Sequence, residues 1–206
     1  NYTREHLSEL ADFGTIPMSS MSIVREDGTF DLYDGNLRCL DVDGNVIFDQ
    51  VKPADYHEVI AEEVRSWSYM KFPFVKALGP EKGWYRVGPL ARLNTCDRID
   101  TPLAEAERIR FKEELGGGGP VQVCMAYHWA RLIETLHAAE KIRELLDDPD
   151  LLQGERVVTG ERREAGVGII EAPRGTLIHH YEVADGDTIS MANLIVSTTH
   201  NNEPMN

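Results

Sequence analysis

The chain's best candidate for chemistry is one short run, Glu171-Ala172-Pro173-Arg174-Gly175-Thr176-Leu177-Ile178-His179-His180-Tyr181. Pro173 fixes its own φ at about −65° and biases Ala172 toward extended backbone. Gly175 allows a positive φ or a close backbone approach. Arg174 is thereby mounted on stiff backbone where a strand begins. The apolar stretches Val167 to Ile170 and Thr176 to Ile178 predict a buried setting. A guanidinium held this way suits a closed site better than a surface ion pair. The alternative is a structural arginine paired with Glu171 or Glu182.

Other reactive residue types are less promising. His179 and His180 are adjacent in a predicted strand, so they point to opposite faces and only one can enter a site. His128 and His137 are not at the i, i+4 spacing of a helical metal pair. The three cysteines, Cys39, Cys96 and Cys124, form no C-x-x-C and read as small buried apolar residues. Gly116 to Gly119 lacks the Gly-Lys-Ser/Thr of a phosphate loop, and Gly166-Val167-Gly168 lacks the third glycine of a dinucleotide fingerprint. Glu62-Glu63 and Asp147-Asp148 read as solvated helix faces.

The elements that position these residues predict an α+β fold, with antiparallel sheet elements packed on long amphipathic helices. Residues 1–53 read as β-rich, with a strand over Met18 to Val24. Tyr33 to Val42 and Val46 to Phe48 are joined by the tight turn Asp43-Gly44-Asn45. Residues 54–150 read as helical. Pro53 opens a helix with Tyr56, Ile60, Val64 and Trp67 on one face, ended or bent by Pro73. Thr101-Pro102 starts a second helix reaching Leu115. Val121, Met125, Trp129, Leu132, Leu136, Ala139, Ile142 and Leu146 form the core stripe of a third. Residues 151–206 read as strands: Arg156 to Thr159, Val167 to Ala172, Thr176 to Val183 and Ile189 to Val196. Asp185-Gly186-Asp187 turns between the last two.

At 206 residues, with 42% hydrophobic and 27% charged residues, the chain can bury one good core. A net charge of −14 argues against nucleic acid and anionic membrane surfaces. No apolar run approaches the roughly 18 residues of a membrane span. A reducing, cytoplasmic setting is expected.

Several stretches, in order, carry a resemblance: Leu32-Tyr33-Asp34-Gly35-Asn36-Leu37-Arg38, Trp67-Ser68-Tyr69-Met70-Lys71-Phe72-Pro73 and Arg86-Val87-Gly88-Pro89-Leu90-Ala91-Arg92-Leu93-Asn94. Leu136-His137-Ala138-Ala139-Glu140, the Pro173-Arg174-Gly175 run and Ala192-Asn193-Leu194-Ile195-Val196-Ser197-Thr198-Thr199-His200-Asn201-Asn202 complete it. Together they resemble the large subunit of nickel–iron hydrogenases, most closely the NAD-reducing (bidirectional) kind. That family holds its metals with two Cys-x-x-Cys pairs, and neither pair is here. The chain is therefore expected to be a central portion of such a subunit, inactive and free of nickel by itself.

The resemblance implies a centre that splits H2 heterolytically, an iron with carbon monoxide and cyanide ligands, and electrons passed toward NAD. The implied partners are a small subunit with iron–sulfur clusters and flavin-bearing diaphorase subunits. By motif register, Pro173 and Arg174 face the metal pocket. Thr198 supplies the hydroxyl that meets a cyanide, with Ser197 where proline often stands. Arg174 then acts by electrostatic pre-organisation, because a guanidinium is almost never deprotonated. The backbone carbonyl of Leu194 falls where the family contributes to a hydrated magnesium or iron site, with a plain strand residue as the alternative. Arg174 and Thr198 are expected to converge at one sheet end. A metal-free α+β binding or assembly domain is the rival reading.

Overall fold

The computed structural model describes residues 5–154 and 157–205. Near the start of the described residues lies a single helical turn, α1 (Leu7–Leu10). Strand β1 (Ser19–Val24) is buried at every position and lies at the heart of the molecule. It pairs antiparallel with β2 (Asn36–Leu40), which pairs with β3 (Val46–Val51). On its other edge, β1 runs parallel to the two-residue strand β6 (Tyr85–Arg86), giving the order β3-β2-β1-β6. The turn at Asp43-Gly44-Asn45 forms as the sequence predicts. Asp41 accepts hydrogen bonds from the Asp43 and Asn45 amides, and Gly44 takes φ 90°.

Two faces of this sheet are covered by different layers because β1 alternates in chemistry. Met21 and Ile23, with Leu37 and Cys39 of β2, meet Ile169, Ile178 and Ile195 from a second sheet. That sheet comprises β7 (Ala165–Ala172), β8 (Gly175–Val183) and β9 (Ile189–Ile195), antiparallel throughout. Ser20 and Ser22 face the opposite way. Asn94 donates to Ser20 Oγ at 3.1 Å, and the Ser22 and Thr95 hydroxyls lie 2.6 Å apart. Both partners belong to α3 (Pro89–Thr95), which is buried at all seven positions. Proline at its first position suits a helix start, where no backbone donor is needed.

Helices α4 (Pro102–Leu115) and α5 (Tyr127–Leu146) finish the helical layer around Phe30, Leu90, Leu93, Phe111, Trp129 and Ile133. Thr101 precedes α4 as predicted, but its hydroxyl turns to His137 Nδ1 at 2.9 Å. The free amides of Leu103 and Ala104 go instead to the Glu140 carboxylate on α5, at 3.0 and 2.9 Å. One helix thus caps another.

Three sequence expectations are corrected. The helix predicted from Tyr56 to Trp67 stops after one turn, α2 (Tyr56–Val59). Ile60 is already extended, and β4 (Ile60–Val64) pairs antiparallel with β5 (Lys71–Val75). Tyr56, Ile60, Val64 and Trp67 fit a helical stripe, yet Val64 and Trp67 are 73% and 61% exposed. Hairpin pairing and burial of Ile60, Phe72 and Val75 outweigh the period. Pro73 sits inside β5, where a two-stranded ribbon leaves open edges that tolerate its missing N–H. Glu62 and Glu63 are therefore strand residues, paired with Lys71 and Arg65.

The second correction concerns α5. Its buried residues are Trp129, Ala130, Ile133 and His137, so the core face is rotated from the predicted stripe. Leu132, Ile142 and Leu146 are exposed, and Val121 and Met125 precede the helix. Small Ala130 lets α5 approach closely, and His137 is satisfied by Thr101 and an edge contact with Phe30. Third, Val157 to Thr159 form no strand, while Arg156 lies outside the described residues. Among the described residues no helix is long and apolar enough to cross a membrane.

Candidate functional site

Ala172 and Gly175 are directly paired across β7 and β8, leaving Pro173 and Arg174 as the two residues of a tight hairpin turn. Gly175 has φ 137°, and a Cβ there would lie 2.2 Å from Val87 Cγ2 and 2.8 Å from the Gly88 amide nitrogen. Gly88 has φ 92°, and its own Cβ would lie 2.9 Å from the Arg174 carbonyl oxygen. The turn is thus pressed against the Val87-Gly88-Pro89 backbone with no room for a side chain on either glycine. The stiffness expected of the Arg174 mounting is present. The burial is not: Pro173 and Arg174 are both exposed. Nor is Glu171 a partner for Arg174, because its carboxylate is taken by Arg92. Glu182 lies at the far end of β8, opposite Ala165.

The buried arginine is Arg92 on α3, 2% exposed. Its Nε and one terminal nitrogen grip Glu134 of α5 bidentately at 2.6 and 2.8 Å. The other terminal nitrogen donates to Glu171 at 2.8 Å and to the Ala172 carbonyl at 3.0 Å. Glu171 also accepts from the Thr176 hydroxyl at 2.7 Å and the Ile23 amide at 3.1 Å. Burial opposes charge on Arg92, but Glu134 and Glu171 hold it above the ordinary arginine value. Full burial pushes the Glu171 carboxyl up, against the pull of Arg92, Thr176 and Ile23. This network ties both strands leading into the Arg174 turn to α3 and β1. Sequence reasoning missed it. Glu171 had signalled itself only as a partner for the wrong arginine, and Glu134 carried no signal.

Thr198 lies just past the end of β9 and is exposed. Ser197 Oγ donates to the Gly175 carbonyl at 2.7 Å, so the Thr198 and Arg174 stretches meet at one end of the sheet. His200, a residue without an expected role, is 2% exposed. It bridges the Thr176 carbonyl at 3.0 Å and the Tyr85 hydroxyl at 2.7 Å. Burial drives its pKa down to about 4. Leu194 lies within β9, four residues before Thr198 and opposite His179, and is 41% exposed. His179 contacts Tyr181, and His180 contacts Tyr56.

The residues present do not fit the ligation of nickel and iron. Cys39 lies on β2, Cys96 ends α3 and Cys124 sits in a turn before α5. Burial pushes the Cys39 thiol far up and the Cys96 thiol to about 11, so neither is a ready thiolate. Among the described residues no group of three or more His, Cys, Asp or Glu side chains could hold a metal ion. What the chain presents instead is a cationic turn and a hydroxyl at one sheet end, both exposed.

Residues 7–206 match the family model described as nickel-dependent hydrogenase. The chain belongs to that family. It is 42% identical to the NAD-reducing hydrogenase HoxS subunit beta of Cupriavidus necator, across all of this chain and 42% of that protein. It is also 42% identical to a chain of the F420-non-reducing hydrogenase of Methanothermobacter thermautotrophicus, across 98% of this chain and 42% of the relative. Its fold superimposes on an NAD+-reducing nickel–iron hydrogenase in the H2-reduced state with a TM-score of 0.90 at 52% identity. That match covers 98% of this chain and 45% of the solved one. A nickel–iron–selenium hydrogenase of Desulfomicrobium baculatum, 20% identical with a TM-score of 0.66, shares the fold, over 94% of this chain and 44% of that one. The chain thus spans less than half the length of these relatives.

Proposed function

We propose that this chain forms one wall of the active-site pocket in the catalytic subunit of an NAD-reducing nickel–iron hydrogenase, in which H2 is split heterolytically. The nickel and iron ligands come from outside this chain. Arg174 and the Pro173 backbone face the pocket, and the Thr198 hydroxyl donates to a cyanide on the iron. A buried cyanide nitrogen left without a donor costs about 1–3 kcal/mol, which gives each donor its purpose. Arg174 contributes fixed positive charge and does not take the proton. By the same family resemblance, the Leu194 carbonyl would help hold a hydrated magnesium or iron in the intact subunit. Electrons leave through the iron–sulfur clusters of a small subunit to a flavin-bearing partner that holds NAD.

The observation that most supports this reading is the Ser197–Gly175 hydrogen bond, which joins the two donor stretches. Exposure of Arg174 and Thr198 fits a wall whose opposite side lies in the remaining length of the relatives. The test is Thr198→Val in the intact hydrogenase carrying this chain. One cyanide stretching band in the infrared spectrum should move, since the donor is lost with little change in shape. Unmoved bands would remove Thr198 from the pocket.

A further inference from the structure

The ladder of β9 ends at Ile195, yet the residue proposed to matter most follows three positions later. Thr198 stands between two clips. Before it, the buried Ser197 hydroxyl donates to the Gly175 carbonyl at 2.7 Å. After it, the buried His200 ring reaches the Thr176 carbonyl at 3.0 Å through Nε2. A carbonyl can only accept, so Nε2 carries the ring proton. Nδ1 then accepts from the Tyr85 hydroxyl at 2.7 Å. Between the clips the backbone turns, with the Thr199 amide donating to Val196 and the Asn201 amide to Thr198.

Both clips close on consecutive peptide groups of β8, the same two that follow Arg174. Gly175 is wedged against Val87 and Gly88, and the Thr176 side chain is held by Glu171. Thr198 and Arg174 are therefore referenced to one short piece of rigid backbone. Donors must sit within about half an ångström of their working geometry, and loops rarely achieve this without such support. We propose that Ser197 and His200 are positioning residues that fix the Thr198 hydroxyl beside Arg174. This rests on the reading of Thr198 as a pocket donor.

The test compares Ser197→Ala, His200→Phe and Thr198→Val in the intact hydrogenase carrying this chain. Loosening either clip should speed exchange of the Thr199 and Asn201 amides by about tenfold or more. The same variants should shift the cyanide band that Thr198→Val shifts, and lower kcat while KM for H2 stays within about twofold. Ser197→Thr keeps the hydroxyl and should return the band to its native position. If Thr198→Val moves the band but Ser197→Ala and His200→Phe do not, the positioning role is overturned and the pocket reading stands. If Thr198→Val moves nothing, the pocket reading fails and takes this inference with it. If His200→Phe does not assemble, Ser197→Ala, which removes a single oxygen atom, decides alone.

Discussion

Replacing Arg92 by methionine removes a guanidinium that is 2% exposed and makes four hydrogen bonds to Glu134, Glu171 and Ala172. Methionine fills most of the volume, so the cost is electrostatic. Glu134 can rehydrate, since its side chain is 14% exposed; Glu171, at 0%, cannot. It keeps only the Thr176 hydroxyl and the Ile23 amide. Breaking a buried pair by deleting one partner costs about 3–5 kcal/mol. At a urea m-value of about 2.5 kcal/mol/M, the unfolding midpoint of the chain should fall by roughly 1.2–2 M. The carboxyl, stranded without its cation, rises further, so the folded state holds a proton that the unfolded state releases. The loss should therefore deepen as pH climbs from the ordinary glutamate range toward neutrality. Removing both charges relieves the strain: Arg92→Met with Glu171→Met should be more stable than Arg92→Met alone. A midpoint shift under about 0.4 M, or a double variant no better than the single one, would rule out the network as the anchor of the Arg174 turn.

Gly175→Ala should destabilise the chain by more than about 3 kcal/mol, because φ 137° and contact with the Gly88 backbone leave no relaxed position for a Cβ. Adding Val87→Ala should not restore the melting temperature, since the clash with the Gly88 nitrogen persists. His200 is neutral when folded, with its pKa lowered to about 4, so the unfolded chain takes up the proton first. Stability should decline as pH falls from about 6.5 toward 4, by roughly 2–3 kcal/mol at pH 4.5. Urea midpoints of the native chain and His200→Phe should differ in pH dependence by that amount; parallel curves would contradict it.

Where local chemistry and topology agreed, the sequence was readable. Asp43-Gly44-Asn45 and Asp185-Gly186-Asp187 both turn between the strands expected of them, and Pro102 to Leu115 forms the helix its ends announce. Misreadings arose where a helical period competed with a partner distant in sequence. Ile60 to Val64 joined Lys71 to Val75 in a hairpin, and α5 buried Ala130, Ile133 and His137 in place of Leu132 and Ile142. Period alone cannot weigh Ala130's close approach or His137's bond to Thr101. At the candidate site, Pro-Arg-Gly announced a tight turn, and Ser197, the neighbour of Thr198, bonds to Gly175 beside it. Arg92, Glu134 and His200 stayed hidden because their partners lie 42, 79, 115 and 24 positions away. Arg174 was legible as rigid but not as exposed, because its flanking apolar residues bury the strands and not the turn.

The decisive experiment for the pocket reading is H2 turnover by Arg174→Lys in the intact hydrogenase carrying this chain, normalised to bound nickel. Lysine keeps the charge but loses the planar fork. If Arg174 is a fixed pocket donor, turnover should drop by about a hundredfold with nickel content unchanged. Turnover within about twofold of the native enzyme, a difference of less than about 0.5 kcal/mol in the barrier, would take Arg174 out of the pocket.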